Sequence, residues 1–242
     1  MEMVLENKKA LTAYALKIIV IVAMFADHAS TWIVARGTAL DIAVHIFGRL
    51  AAPIMCYLIV EGYFHTSNVR KYTIRLLAFA AISHFPYVMY FDIPWWQATS
   101  VMWGLAMGLI ALIATQNPKL ALWQKITVVV ICCLLSWTAN WNYISVLWIV
   151  LFGMFRGQFE KQMISFALVG IFLYAIPGVR DLGWEFVYRF GVLLAIPVFA
   201  LYNGQRGRDS AFIKWGFYAF YPLHLVALHL FVHGVLGRVT HG

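Results

Sequence analysis

The sequence predicts an all-α, polytopic membrane protein of about nine transmembrane helices, with the N-terminus cytoplasmic and the C-terminus outside. Three observations predict it. Of 242 residues, 63% are hydrophobic and 12% charged, whereas soluble domains carry roughly 45–50% apolar and about 25% charged residues. Apolar runs of spanning length recur from end to end, without the alternation of a membrane β-barrel. Basic residues are concentrated in alternate loops, as the positive-inside rule requires. Little chain is left between the runs, so residues 1–242 are read as one membrane domain. The net charge of +8 would suggest nucleic acid in a soluble chain. Here it reads as loops facing anionic lipid, and no nucleic-acid partner is expected.

In order, the spans fall at about 11–35, 40–65, 71–91, 99–116, 120–138, 142–155, 162–177, 184–202 and 213–236. The first is too long for a signal-peptide core and lacks a convincing cleavage site, so it is expected to be retained. The sixth and seventh are short, and a tilted hairpin or re-entrant segments are alternatives there. Lys8 and Lys9 precede the first span, Arg70 and Lys71 follow the second, and Arg75 lies just inside the third. Lys119, Lys125, Arg156, Lys161, Arg206, Arg208 and Lys214 fall on the same side. The opposite loops hold Arg36, Asp41, Asp92, Arg180, Asp181 and Glu185, a poorer basic set. Trp32, Trp95, Trp96 and Trp141 cluster near the outer ends, where indoles favour the interface. Asn117-Pro118, Pro177-Gly178 and Asn203-Gly204 punctuate the spans. Cys56, Cys132 and Cys133 lie inside apolar runs as small buried hydrophobes, and no metal-ligand spacing is present. No internal repeat supports an inverted-repeat transporter.

The first span carries Lys17, Asp27 and His28. A charge at the bilayer centre costs about 2.5–3.5 kcal/mol on insertion scales, so an intramembrane Asp-His pair points to function. In the second span His45 and Arg49 are four residues apart and share a helical face, at a depth that meets Asp27 and His28. Gly48 permits close approach of another backbone, and Pro53 is expected to break the helix one turn later. Asp27 pairs most economically with Arg49. His28, held near a carboxylate, is then the candidate general base. The competing reading is an ion pair used only for packing, with His28 capping it.

The ninth span contains Phe217-Tyr-Ala-Phe-Tyr-Pro-Leu-His-Leu225. Its His224 is a candidate second proton-transfer group or a helix-packing histidine, with Tyr218 and Tyr221 on the preceding turns. On the cytoplasmic side Glu61-Gly-Tyr-Phe-His65 closes the second span, and Arg70, Lys71 and Arg75 follow. Glu61 has Lys17 or Arg75 as its expected partner. The basic residues suit a polyanionic cofactor, or simply a positive-inside loop. His84 and Arg189 are further intramembrane polar groups, more often structural.

Together Lys17-Ile-Ile, Met24-Phe-Ala-Asp27-His28, Gly48-Arg49-Leu-Ala-Ala-Pro53, Glu61-Gly-Tyr-Phe-His65-Thr66, Tyr72 with Arg75-Leu76, Ser83 with Pro86, and Phe220-Tyr221-Pro222-Leu-His224-Leu225 resemble the TraX family of membrane acetyltransferases. That family is akin to the broader transmembrane acyltransferases. The motifs run in family order over most of the chain. Two positions depart from the pattern: His84 stands where many members carry an acidic residue, and Ser100 where an asparagine is expected. The resemblance implies a multi-pass protein of the bacterial inner membrane. It implies acetyl-CoA as donor and co-substrate and a pilin-like N-terminal amine as acceptor, with a surface sugar as the alternative. A homo-oligomer is left open.

On this reading Arg70, Lys71, Arg75, Arg206 and Arg208, with Glu61 and His65, are the expected acetyl-CoA-binding residues. His28 deprotonates the acceptor, Asp27 supports it, and Arg49 or Tyr221 stabilises the oxyanion. An acetyl-histidine intermediate is the alternative route. From other classes, a proton-coupled transporter would use the same buried charges, and a non-catalytic assembly subunit would use none of them chemically.

Overall fold

A computed structural model describes residues 10–236, so Glu2, Glu6, Lys8 and Lys9 lie outside the described residues. Among the described residues the chain is all-helical, with two isolated bridges, Leu11 with Tyr202 and Thr99 with Ala139, and no strand. The α-helices are α1 (Ala13–Ile33), α2 (Ala39–Gly48), α3 (Ala51–His65), α4 (Val69–Phe91), α5 (Val101–Gln116), α6 (Leu122–Leu135), α7 (Asn142–Met154), α8 (Phe159–Val169), α9 (Ile176–Leu182), α10 (Ala195–Ala200) and α11 (Ala211–Phe231). A π-helical turn, Gly170–Ala175, joins α8 to α9, and a 3-10 stretch, Trp184–Leu194, precedes α10. Five helical runs are long and apolar enough to cross a membrane: Ala13–Ile33, Ala39–His65, Val69–Phe91, Phe159–Leu182 and Ala211–Gly234.

Local chemistry sets the boundaries. Thr12 caps α1 by accepting from the Ala15 amide (3.3 Å), Thr38 caps α2 from Asp41 (3.2 Å), and Asn68 caps α4 from Lys71 (2.8 Å). The second span is interrupted at Arg49–Leu50, before Pro53 rather than after it. Pro53 is the third residue of α3, where a missing N–H removes no intrahelical bond. The seventh span is not short: the π turn carries the helical run on to Leu182. Pro177 and Gly178 fall inside α9 instead of forming a turn, because proline is well tolerated in a helix's first turn and Gly178 lies against the Arg189 side chain. The eighth span is mostly 3-10 helix. It starts after Gly183, whose φ of +108° disfavours any residue with a Cβ.

Two compact units result. Among the described residues the first is 10–55 with 170–217, and the second is 56–169 with 218–236. In the first, α1 packs on α2, and the 3-10 stretch packs on α2 and α9. In the second, α5 is the hub: it packs against α4, α6 and α7, and eleven of its sixteen residues are buried. Gly104 and Gly108 let α7 approach, at Ser145 and Ile149, and Gly153 of α7 faces Leu112 in return. Cys56 and Cys132 are buried and Cys133 is half-buried, all as free thiols.

Candidate functional site

The first unit builds a buried charge cluster where α1 crosses α2. Asp27 sits near the C-terminal end of α1. Arg49, the C-cap of α2, keeps right-handed helical angles (φ −63°, ψ −13°), so it stays on the face of His45. Arg49 Nη2 donates to Asp27 Oδ1 (2.6 Å) and Oδ2 (2.5 Å), and its Nη1 donates to the Tyr174 hydroxyl (3.0 Å). The Tyr188 ring lies 5.3 Å from the guanidinium carbon and 5.0 Å from the His45 ring. The side chains of Asp27, Arg49 and His45 are 14%, 16% and 15% exposed, so little water screens the pair. Gly48 makes this crossing possible, because a Cβ there would collide with the Asp27 carboxylate.

The imidazole on the carboxylate is His45, whose Nδ1 lies 2.8 Å from Asp27 Oδ1. The sequence reading put His28 in that place. Adjacent helical residues point about 100° apart, so Asp27 facing α2 turns His28 away from that contact. His28 is buried at 8% exposure and still feels the Asp27 charge.

Asp41 completes the cluster, and its role was not foreseen. Its Oδ2 accepts from the Gly37 amide (3.0 Å). Its Oδ1 lies 3.2 Å from His45 Nε2, close enough to attract but without hydrogen-bond alignment. His45 is therefore bracketed by two carboxylates. A neutral ring carries one N–H and can donate to one of them; both are matched when both nitrogens carry hydrogen. The signal was present in the sequence, since Asp41, His45 and Arg49 repeat every four residues.

Tyr174 and Tyr188 were also missed, because both come from segments remote in sequence. Tyr174 lies in the π turn, a local irregularity that often marks functional sites. Arg189 fixes it from the other side, with Nη1 on the Tyr174 carbonyl (3.3 Å) and the guanidinium 4.7 Å from its ring.

The second unit holds most of the basic residues assigned to the cofactor. Arg70 and Lys71 are exposed at the start of α4. Arg75 lies between the rings of Tyr72 (5.5 Å) and Tyr218 (5.2 Å). Glu61 was expected to meet Lys17 or Arg75; the structure gives it Arg156 (3.3 Å), with His65 Nδ1 3.8 Å from its other oxygen. Arg156 stacks on Phe64 at 4.5 Å. Lys17, in the first unit, lies 5.7 Å from the Phe217 ring. Arg206 and Arg208 are exposed in the first unit, with Arg206 on Asp209 at 3.4 Å.

On α11, His224 Nδ1 is 2.8 Å from the Phe220 carbonyl, and its ring stacks on Phe220. That bond puts the hydrogen on Nδ1 and makes Nε2 the acceptor nitrogen. Tyr221 is buried against the ring's edge. Among the described residues no group of three or more His, Cys, Asp or Glu side chains is arranged to hold a metal ion.

A family model, described as TraX protein, matches residues 12–232. The chain is 28% identical over 231 residues to a probable fimbrial assembly protein FimC, serogroup H1, of Dichelobacter nodosus, covering 90% of this chain and 94% of that protein. No solved structure matches.

Proposed function

The chain belongs to the TraX family, and from that premise we propose that it is an acetyltransferase of the bacterial inner membrane. It moves an acetyl group from cytoplasmic acetyl-CoA to the N-terminal amine of a pilin-like protein. The similarity to a fimbrial assembly protein supports that choice of acceptor. Nine crossings with a cytoplasmic N-terminus, read from the loop charges, bring the end of α1 and the start of α2 toward the outer side.

The observation that carries the reading is the half-buried Asp27–His45–Arg49 cluster within apolar helices. Aminolysis of a thioester forms a C–N bond and breaks a C–S bond. One proton leaves the amine, and the departing thiolate takes up one. An imidazole with a carboxylate behind Nδ1 and its second nitrogen toward the acceptor performs that transfer. His45 supplies the Nδ1–Asp27 half of this geometry, and its Nε2 turns to the acceptor once the Asp41 side chain gives way; His28, buried and next to Asp27 in sequence, is the second candidate. Arg49 is a positioning residue, since it acts through its hydrogen bonds to Asp27 and Tyr174. The exposed Arg70 and Lys71, with Arg75, suit the phosphates of the donor.

The test is transfer of labelled acetyl from acetyl-CoA to a pilin-like peptide by purified protein. His45→Gln and Asp27→Asn are expected to lower the rate by about 10²–10⁴-fold, the range for general acid–base catalysis. Full transfer by either variant, folded, overturns the assignment. The same buried charges suit a proton-coupled transporter; calorimetric titration with acetyl-CoA separates the two, because a transporter of another solute gives no binding.

A further inference from the structure

The second unit contains a polar cluster that the chemistry at Asp27 does not use. Ser83 on α4 and Ser100 before α5 are 0% exposed, and Tyr221 on α11 is 3% exposed. The hydroxyl oxygens of all three are buried without a hydrogen-bond partner. Buried hydroxyls are normally satisfied, and three unmatched ones in one unit require a reason.

Two of them, Ser100 and Tyr221, meet at the amino end of α5. Ser100 occupies the N-cap of α5 but its side chain makes no capping bond, although a serine there ordinarily accepts from an amide of the first turn. The Tyr221 phenol faces the Val101 amide, the first of α5, without closing an aligned hydrogen bond, and Tyr87 and the His224 ring are its other polar neighbours. Ser83 lies one turn from Tyr87 on α4, on the same face, and α4 packs on α5. The Trp103 amide donates to the Ser100 carbonyl (3.1 Å), which leaves the Val101 and Met102 amides as the open donors of the first turn, and sixteen residues give the helix its full positive end.

The cluster thus offers hydroxyl and amide donors in a dry setting. Tyr87, Ser100 and Tyr221 carry hydroxyls there, the His224 ring edge lies beside Tyr221, and Val101 and Met102 next to them are buried and apolar. Such a site suits one polarised oxygen on a small apolar body better than a phosphate, which calls for cations. We propose that the amino end of α5, with Ser100 and Tyr221, binds the carbonyl or carboxylate oxygen of a short acyl group. The proposal rests on the acetyltransferase reading only for the source of that group, an acyl thioester as opposed to a free carboxylate.

The test is calorimetry on the full chain in detergent with three probes: acetyl-CoA, coenzyme A and sodium acetate. The unmodified protein is expected to bind acetyl-CoA more tightly than coenzyme A. Tyr221→Phe or Ser100→Ala is expected to reduce that preference about five- to tenfold, the loss of one neutral hydrogen bond, while coenzyme A binding holds. Where Tyr221→Phe fails to fold, Ser100→Ala decides. Equal binding of acetyl-CoA and coenzyme A, or variants that weaken both equally, overturns the acyl site while leaving the donor assignment standing. Binding of acetate that the variants weaken, with neither coenzyme bound, supports the site and refutes the donor. Binding of none of the three probes, with the hydroxyls holding only water, overturns the site.

Discussion

Replacing Arg49 by Met removes the cation from a buried carboxylate and keeps most of the side-chain volume. Removing one partner of a buried ion pair typically costs about 3–5 kcal/mol. Asp27 is 14% exposed and keeps a second donor in His45, so the lower end, about 3 kcal/mol, is expected. Arg49→Met also removes the Arg49 donor from the Tyr174 hydroxyl. His45→Ala removes one hydrogen bond to a charged group and should cost about 1.5–3 kcal/mol, less than Arg49→Met. Asp27→Asn combined with Arg49→Met removes both charges together. Its cost should fall short of the summed single costs by more than about 1.5 kcal/mol, well above the roughly 0.6 kcal/mol average of interhelical hydrogen bonds in membranes. The measurement is reversible unfolding of the purified protein in mixed micelles, followed by tryptophan fluorescence. Additivity within about 0.5 kcal/mol, or His45→Ala costing more than Arg49→Met, would refute the view that Arg49 is what holds the Asp27 charge in place.

Three further outcomes follow from contacts elsewhere. Gly48→Ala puts a Cβ on the Asp27 carboxylate and should destabilise by about 1–3 kcal/mol through overpacking, read in the same titration, whereas Gly216→Ala, with open space around it, should not. Gly191→Ala drives a Cβ to 2.5 Å from the Ile46 carbonyl oxygen, a backbone atom with little room to yield; a loss of about 1–3 kcal/mol is expected, and unchanged stability would mean that the 3-10 stretch does not pack on α2 as described. Arg156→Ala removes a partner of Glu61 that is 41% exposed, and should move stability by no more than about 1 kcal/mol; a larger loss would assign the Glu61–Arg156 pair a structural weight that its exposure does not predict.

The sequence by itself determined the class of protein, its helical character and the pairing of Asp27 with Arg49. Composition and run length fix the first two, because a bilayer admits few alternatives for a chain 63% hydrophobic. The pairing follows from cost, since two opposite charges within apolar runs at one depth are each expensive alone. Asp27–His28 was read as the acid–base pair because the two are adjacent in sequence. Only the tertiary structure decided that the imidazole on the carboxylate is His45, since helical geometry sends neighbours to different faces and the α1–α2 crossing at Gly48 chooses which face is used. It likewise decided the partner of Glu61, which periodicity along one chain segment does not encode. Tyr174 and Tyr188 reach Arg49 from the π turn and the 3-10 stretch, whose departures from the regular helix no apolar pattern announces. Local sequence sets which charges must be compensated; long-range packing sets which groups do so, because only the folded chain bonds Asp27 to His45 and Arg49, and Arg49 in turn to Tyr174.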